Sequence, residues 1–278
     1  MDMIFIAVFS VTTIGVICAA VLSIASKLMY VKVDERVAQL QECLPGANCG
    51  ACGYPGCSGY AVALLSNAGV KPNLCSPGGT ESLAKISAIL GVEAGNITKK
   101  SAVVHCSGDC DIMQKKMDYK GIQSCVAAKQ LFGGEGACAF GCLGFGDCKT
   151  VCPSNAVCIE NGLARINPHL CTGCGLCMKS CPNNLISVEN SDMKVAVLCK
   201  SKDKGAVVRK KCSSGCISCG KCVRECPAAA IKLEENLAII DYEKCGAYQS
   251  ESGGCAHCVE VCISKCIKPM LQETGRKA

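Results

Sequence analysis

Residues 171–182 read CTGCGLCMKSCP, a run that decides the fold: thiols at Cys171, Cys174, Cys177 and Cys181 follow the spacing C-x2-C-x2-C-x3-C-P. Three thiolates two residues apart can wrap one [4Fe-4S] cubane, the fourth ligates the other cluster of a pair, and the proline redirects the chain toward it. The same run recurs in full at Cys216, Cys219, Cys222 and Cys226-Pro227. Its closing half recurs at Cys148 and Cys152 before Pro153, and at Cys258 and Cys262 without the proline. Zinc usually takes two separated C-x2-C pairs, so these runs point to iron and sulfide. Each closing half precedes an apolar or β-branched segment, and Glu234-Glu235-Asn236 stands between two strand-like runs as a hairpin turn. Residues 134–195 and 196–270 therefore read as two tandem bacterial-type 2[4Fe-4S] ferredoxin modules. Crossing the fourth ligands predicts four sites: Cys138, Cys142, Cys148 and Cys181; Cys171, Cys174, Cys177 and Cys152; Cys216, Cys219, Cys222 and Cys262; Cys245, Cys255, Cys258 and Cys226.

The composition agrees with order supplied by clusters. Cysteine accounts for 29 of 278 residues, while tryptophan is absent and aromatic residues make up 4%. A disulfide scaffold is disfavoured by the odd cysteine count and the stereotyped spacing. Residues 3–26 carry no charge and as a helix would reach roughly 36 Å, enough for a hydrocarbon core of about 30 Å. Asp2 stands where a signal peptide would carry lysines, so residues 1–26 are expected to be an uncleaved, single-pass transmembrane anchor. Lys27, Lys32 and Arg36 then place the remainder on the cytoplasmic side of the cell membrane, where thiols stay reduced. The net charge of +6 carries no nucleic-acid inference, because each oxidised cubane would add about two negative charges. Lys204, Arg209, Lys210 and Lys211 read as a solvated loop.

Between anchor and modules, residues 27–100 form a small helical domain: VDERVAQLQECL, SGYAVALLSNAG and ESLAKISAILG are helical runs around the glycine-rich PGANCGACGYPGC. Cys49, Cys52, Cys57 and Cys75 are a further four-thiol set. An anchor, LPGANCGACGYPGC with a downstream cysteine, and ferredoxin modules together resemble the B subunit of the Rnf complex, over nearly the whole chain. The resemblance implies a [4Fe-4S] cluster on Cys49, Cys52, Cys57 and Cys75. It also implies electron transfer from reduced ferredoxin or flavodoxin within an ion-translocating ferredoxin:NAD+ oxidoreductase, whose other subunits would reduce NAD+ and move the ion. The chain departs from shorter family members by carrying two ferredoxin modules.

The expected architecture is thus α+β: anchor, helical 4Fe-4S domain, a cysteine-containing connector over 101–133, two ferredoxin modules and a tail over 271–278. Five clusters are expected. Cys106, Cys110, Cys125, Cys199 and Cys212 are candidates for a sixth, while Cys18, Cys43, Cys158 and Cys266 read as small buried thiols. His169 and His257 lack a two-His, two-Cys Rieske pattern, and GCLGFGDCK lacks the order of a phosphate loop. No residue pattern calls for an acid, base or nucleophile. The rival readings are a ferredoxin-like arm of another membrane complex, such as a hydrogenase, and an iron–sulfur sensor or store. The CGACGYPGC domain argues against the first, and no effector module supports the second.

Overall fold

The computed structural model describes residues 2–28, 34–67, 69–93, 95–252 and 255–270, without the side chains of Asp2, Leu28 and 250–252. Lys32 and the tail 271–278 lie outside the described residues. Helix α1 (Asp2–Leu28) contains a span, Met3–Lys27, long and apolar enough to cross a membrane. Its apolar side chains are exposed on every side within the described residues. The Ser10, Thr12 and Thr13 hydroxyls donate back to the carbonyls of Ala7, Val8 and Phe9, so none needs water.

A helical unit follows: α2 (Glu35–Glu42), N-capped by the Asp34 carboxylate, α3 (Cys57–Ser66) and α4 (Gly79–Leu90), ended by left-handed Gly91. Leu40, Tyr60 and Ile86 are fully buried at its centre with Leu44, Ala61 and Leu64. The Tyr60 hydroxyl donates to the Lys71 carbonyl at 2.7 Å and accepts from Leu74 N–H at 3.4 Å, fixing the turn that carries Cys75. Burial pushes that phenol up to about 12. Tyr60→Phe keeps the ring but orphans the turn, and is expected to cost about 1 kcal/mol in chemical unfolding; an unchanged midpoint would show that the hydroxyl does not hold the turn.

Two sheet-bearing units of one topology come next. In the first, β1 (Lys100–Val104) leads to α5 (Cys125–Gln130), α6 (Asp147–Thr150), the hairpin β2 (Val157–Glu160) and β3 (Leu163–Ile166), α7 (Leu176–Ser180) and β4 (Ile186–Asn190). Strand β1 pairs antiparallel with β4, Lys100 opposite Asn190 and Val104 opposite Ile186, and β2 pairs with β3. In the second, β5 (Val195–Val197) leads to α8 (Gly205–Lys211), α9 (Lys221–Arg224), the hairpin β6 (Ile231–Glu234) and β7 (Leu237–Ile240), α10 (Tyr242–Ser252), α11 (His257–Glu260) and β8 (Ile267–Pro269). Here β5 pairs with β8 and β6 with β7. The tight turns are Asn161-Gly162 and Glu235-Asn236, both residues of each at positive φ, the twist a two-residue hairpin demands.

Three placements differ from the sequence reading. The stretch 101–133 is more than a connector, because most of β1 and all of α5 lie in it and β1 completes the first unit's sheet. Lys204, Arg209, Lys210 and Lys211 cap and close helix α8, whose carbonyl end favours cations, and Lys211 pairs with Asp203 at 2.8 Å. Cys18 and Cys158 are exposed: Cys18 lies on α1, and alternation along β2 turns Cys158 outward. Cys266 is buried and Cys43 is half-buried.

The two units are joined across β4 and β5. His105 Nδ1 lies 2.8 Å from the Val197 carbonyl, to which it must donate, and Nε2 lies 2.7 Å from Ser187 Oγ. Burial lowers the pKa of this histidine and so favours the neutral ring. Gln114 N–H donates to the Lys211 carbonyl at 2.9 Å, and Lys200 Nζ to the Asn184 carbonyl at 2.8 Å. The helical unit touches the first sheet unit through Lys179 Nζ on the Cys49 carbonyl at 3.0 Å and Ser76 Oγ on the Thr172 carbonyl at 3.3 Å.

Candidate iron-sulfur sites

Twenty-four thiols fall into six sets of four. The first, Cys49, Cys52, Cys57 and Cys75, rims a cavity closed by Leu44, Pro45 and Tyr60. Asn48 Oδ1 accepts the Cys57 N–H at 2.8 Å and lies only 2.8 Å from where a Cβ on Gly56 would stand. Gly56 also has φ +113°, so a side chain there would break the loop that presents three of the four thiols.

The second set is Cys152, Cys171, Cys174 and Cys177. Burial, then the fields of Cys171, Cys174 and Cys152, push Cys177 up to about 11. Backbone N–H groups of Ala102 and Ala156 point at the sulfurs of Cys171 and Cys152, each at 3.3 Å. Gly173 has φ +67°, and a Cβ there would meet the Lys100 carbonyl at 2.7 Å, so the tight run fits against β1 only with glycine.

The third set corrects the sequence reading. The cavity between α6 and β4 is rimmed by Cys142, Cys148 and Cys181, as read, but its fourth thiol is Cys125 rather than Cys138. Asp147 brings Cys125 there. Its carboxylate accepts the N–H groups of Cys125 and Val126 at 3.0 and 3.1 Å and the Ser124 hydroxyl at 2.9 Å, fixing the start of α5 beside Cys148. Burial would raise the Asp147 carboxyl, but these donors outweigh it and hold it below the usual range. Burial followed by the nearby Cys142, Cys125 and Cys181 pushes Cys148 up to about 12.

Cys138 joins Cys106, Cys199 and Cys212 around a cavity between the two sheet units, the fourth set. Of the five thiols proposed for a sixth cluster, three are here, Cys125 belongs to the third set, and exposed Cys110 stands against Gly162 outside any set. Burial drives Cys106 up to about 12, opposed by the Cys142 and Gly108 backbone groups beside its sulfur.

The fifth set is Cys216, Cys219, Cys222 and Cys262; burial, then its three companions, push Cys222 up to about 11. Cys266 adds a fifth sulfur, 3.6 Å from that of Cys262. A hydrogen bond from Cys266 lowers the pKa of both Cys216 and Cys262, and Cys266 itself is raised. The sixth set, Cys226, Cys245, Cys255 and Cys258, rims a cavity with Val195, Ile231 and Ile240. Gln249 Nε2 donates to Cys245 Sγ at 3.3 Å and to the Cys255 carbonyl at 3.4 Å. His257 sits on the surface between Glu225 and Glu260, outside all six sets.

These sets suit a cubane better than a single ion. Among the described residues no three Cys, His, Asp or Glu side chains converge as they would on one metal, whereas four thiols ring each of the four described cavities. Nearly all-sulfur donors, apolar walls and backbone N–H groups aimed at sulfur are the surroundings that iron–sulfur clusters take.

Neighbouring sets are linked in file. Lys179 and Ser76 join the first to the second. From there each step is made by a C-x3-C segment: Cys148 to Cys152 and Cys177 to Cys181, then Cys138 to Cys142, Cys212 to Cys216, and finally Cys222 to Cys226 and Cys258 to Cys262.

The 4Fe-4S dicluster domain model matches residues 170–230, and the FeS model, an Fe-S cluster family, matches residues 44–77. The dicluster match straddles β4 and β5, linking two full runs that lie in different sheet units. The chain is 43% identical, over 95% of its length and 91% of the relative's, to the B subunit of the proton-translocating ferredoxin:NAD(+) oxidoreductase complex of Clostridium ljungdahlii. It is 38% identical, over 91% and 74%, to the Na(+)-translocating counterpart of Acetobacterium woodii. It is 39% identical, over 92% and 94%, to the B subunit of the ion-translocating oxidoreductase complex of Methanosarcina acetivorans.

Proposed function

Because the chain belongs to the B-subunit family of the Rnf-type ion-translocating ferredoxin:NAD+ oxidoreductases, we propose that it accepts single electrons from reduced ferredoxin or flavodoxin and relays them through six [4Fe-4S] clusters to its partner subunits. It is an electron-transfer subunit of an oxidoreductase complex and carries 4Fe-4S domains. The six thiol sets are the cluster ligands. Each cubane so held supplies a one-electron carrier whose potential is set by burial and by hydrogen bonds to sulfur. The protein's part is to hold the thiolates, aim N–H groups at them and exclude water; no side chain has to move a proton.

The observation that carries this reading is the single file of sets, running from the helical unit next to α1 to the far end of the second sheet unit. The two sheet units are tandem ferredoxin modules, the first beginning at β1 and the second at β5. The sixth set, farthest along the file from the anchor, is the accepting end, and the first set delivers electrons beside the membrane. Helix α1 anchors the chain in the cell membrane, with Lys27 and Arg36 on the cytoplasmic side. Relatives of comparable identity are named for different ions, and α1 has no charged residue between Met3 and Ser26, so ion movement belongs to other subunits.

The test is anaerobic mixing of the detergent-purified full chain with reduced ferredoxin, followed by EPR and an iron count. Rapid reduction with about 24 irons per chain supports the reading, at four irons per cubane. Full iron loading without reduction points instead to a sensor or store, and zinc in place of iron overturns the cluster assignment.

A further inference from the structure

We propose that Cys266 is a hydrogen-bond donor to the cluster-ligating sulfur of Cys262, and that it raises the reduction potential of the fifth cluster relative to an otherwise equivalent site. The inference rests on the cluster reading of the fifth set.

The internal repeat supplies the comparison. Four residues after each closing cysteine, Cys152, Cys181, Cys226 and Cys262, stand Ala156, Leu185, Ala230 and Cys266. All four are buried to the same degree, at 2% exposure. Ala156 and Leu185 N–H donate to the sulfurs of Cys152 and Cys181 at 3.3 and 3.4 Å. The carbonyls of Leu185 and Cys266 each accept a bond from the strand across the sheet, His105 N–H and Leu198 N–H, both at 2.7 Å. Three of the four side chains are hydrocarbon and can offer a cluster nothing but exclusion of water. The fourth ends in a thiol whose sulfur lies 3.6 Å from Cys262 Sγ.

The fifth set is already complete with Cys216, Cys219, Cys222 and Cys262, which leaves Cys266 its proton. An S–H aimed at a ligating thiolate withdraws electron density and favours the reduced, more negative cluster. A small buried cysteine could also be mere packing, but alanine or leucine fills the other three positions. At this position of the repeat the fifth site has a donor where the other three have hydrocarbon.

The test uses the full chain, loaded with clusters anaerobically, as wild type, Cys266→Ala and Cys266→Ser. Iron per chain is counted and each cluster is titrated by EPR potentiometry. Cys266→Ala is expected to keep all its iron and to lower one midpoint potential, by about tenfold in the one-electron equilibrium, or about 59 mV. The displaced transition should be the one missing from a Cys219→Ala, Cys222→Ala variant. Cys266→Ser, which keeps a donor, should restore part of the shift. An unchanged potential with full iron would reduce Cys266 to packing and overturn the proposal. Loss of about four irons in Cys266→Ala would make it a ligand and also overturn it. Failure of the wild-type chain to hold iron would instead sink the cluster reading beneath it.

Discussion

Replacing Cys106 and Cys199 together by alanine is expected to remove about four irons per chain and to stop electron passage between the two sheet units, with the remaining clusters intact. The two cysteines come from different units, one just beyond β1 and the other just beyond β5, and with Cys138 and Cys212 they rim the cavity at the joint. The variant should stay assembled. Each unit keeps its own core, Ala102, Val157, Leu185 and Ile186 in the first and Val195, Ile231, Ile240 and Ile267 in the second. The His105 bridge to Val197 and the Gln114 bond to Lys211 still hold the units together. Rapid-freeze EPR after mixing with reduced ferredoxin should then find the fifth and sixth clusters reduced and the first three left oxidised. If all the remaining clusters fill at the wild-type rate, electrons do not travel in single file and the fourth set lies off the route.

Where ligand spacing is local, the sequence alone was enough to group the thiols. Cys49, Cys52 and Cys57 come from one glycine-rich loop, and Cys171, Cys174 and Cys177 from one turn, so the backbone permits few other arrangements. The second unit's hairpin was equally legible, since Glu235-Asn236 takes the left-handed conformations its turn needs. What spacing could not reveal were contacts made by distant segments. Strand β1 has no signature of its own, and its partner β4 lies at the other end of the unit. Cys125 reaches the third cavity only because Asp147, 22 residues on, takes its N–H. One signal was nevertheless available. The two full runs use C-x3-C to pass from one thiol set to the next, and applying that rule to Cys138 and Cys142 separates them. It likewise parts Cys212 from Cys216 and makes room for a set between the units.

That separation is open to a direct trial with Cys125→Ala, Cys138→Ala and the double variant in the full chain. Each single substitution is expected to alter a different cluster, seen as a different missing or three-iron EPR species. The double variant should show both losses, as sites with no shared ligand require. If Cys138 instead completes the set with Cys142, Cys148 and Cys181, Cys125→Ala changes nothing and the double variant matches Cys138→Ala. Asp147→Asn sharpens the trial. It keeps the Cys125 thiol but removes the charge that gathers two N–H groups and the Ser124 hydroxyl, charge-assisted bonds worth about 1.5–3 kcal/mol each. It should loosen the third cluster alone, mimicking Cys125→Ala in part and leaving untouched the cluster that Cys138→Ala disrupts. Loss of the fourth cluster on Asp147→Asn would mean that Cys125 and Cys138 serve one site after all, because only Cys125 is held by that carboxylate.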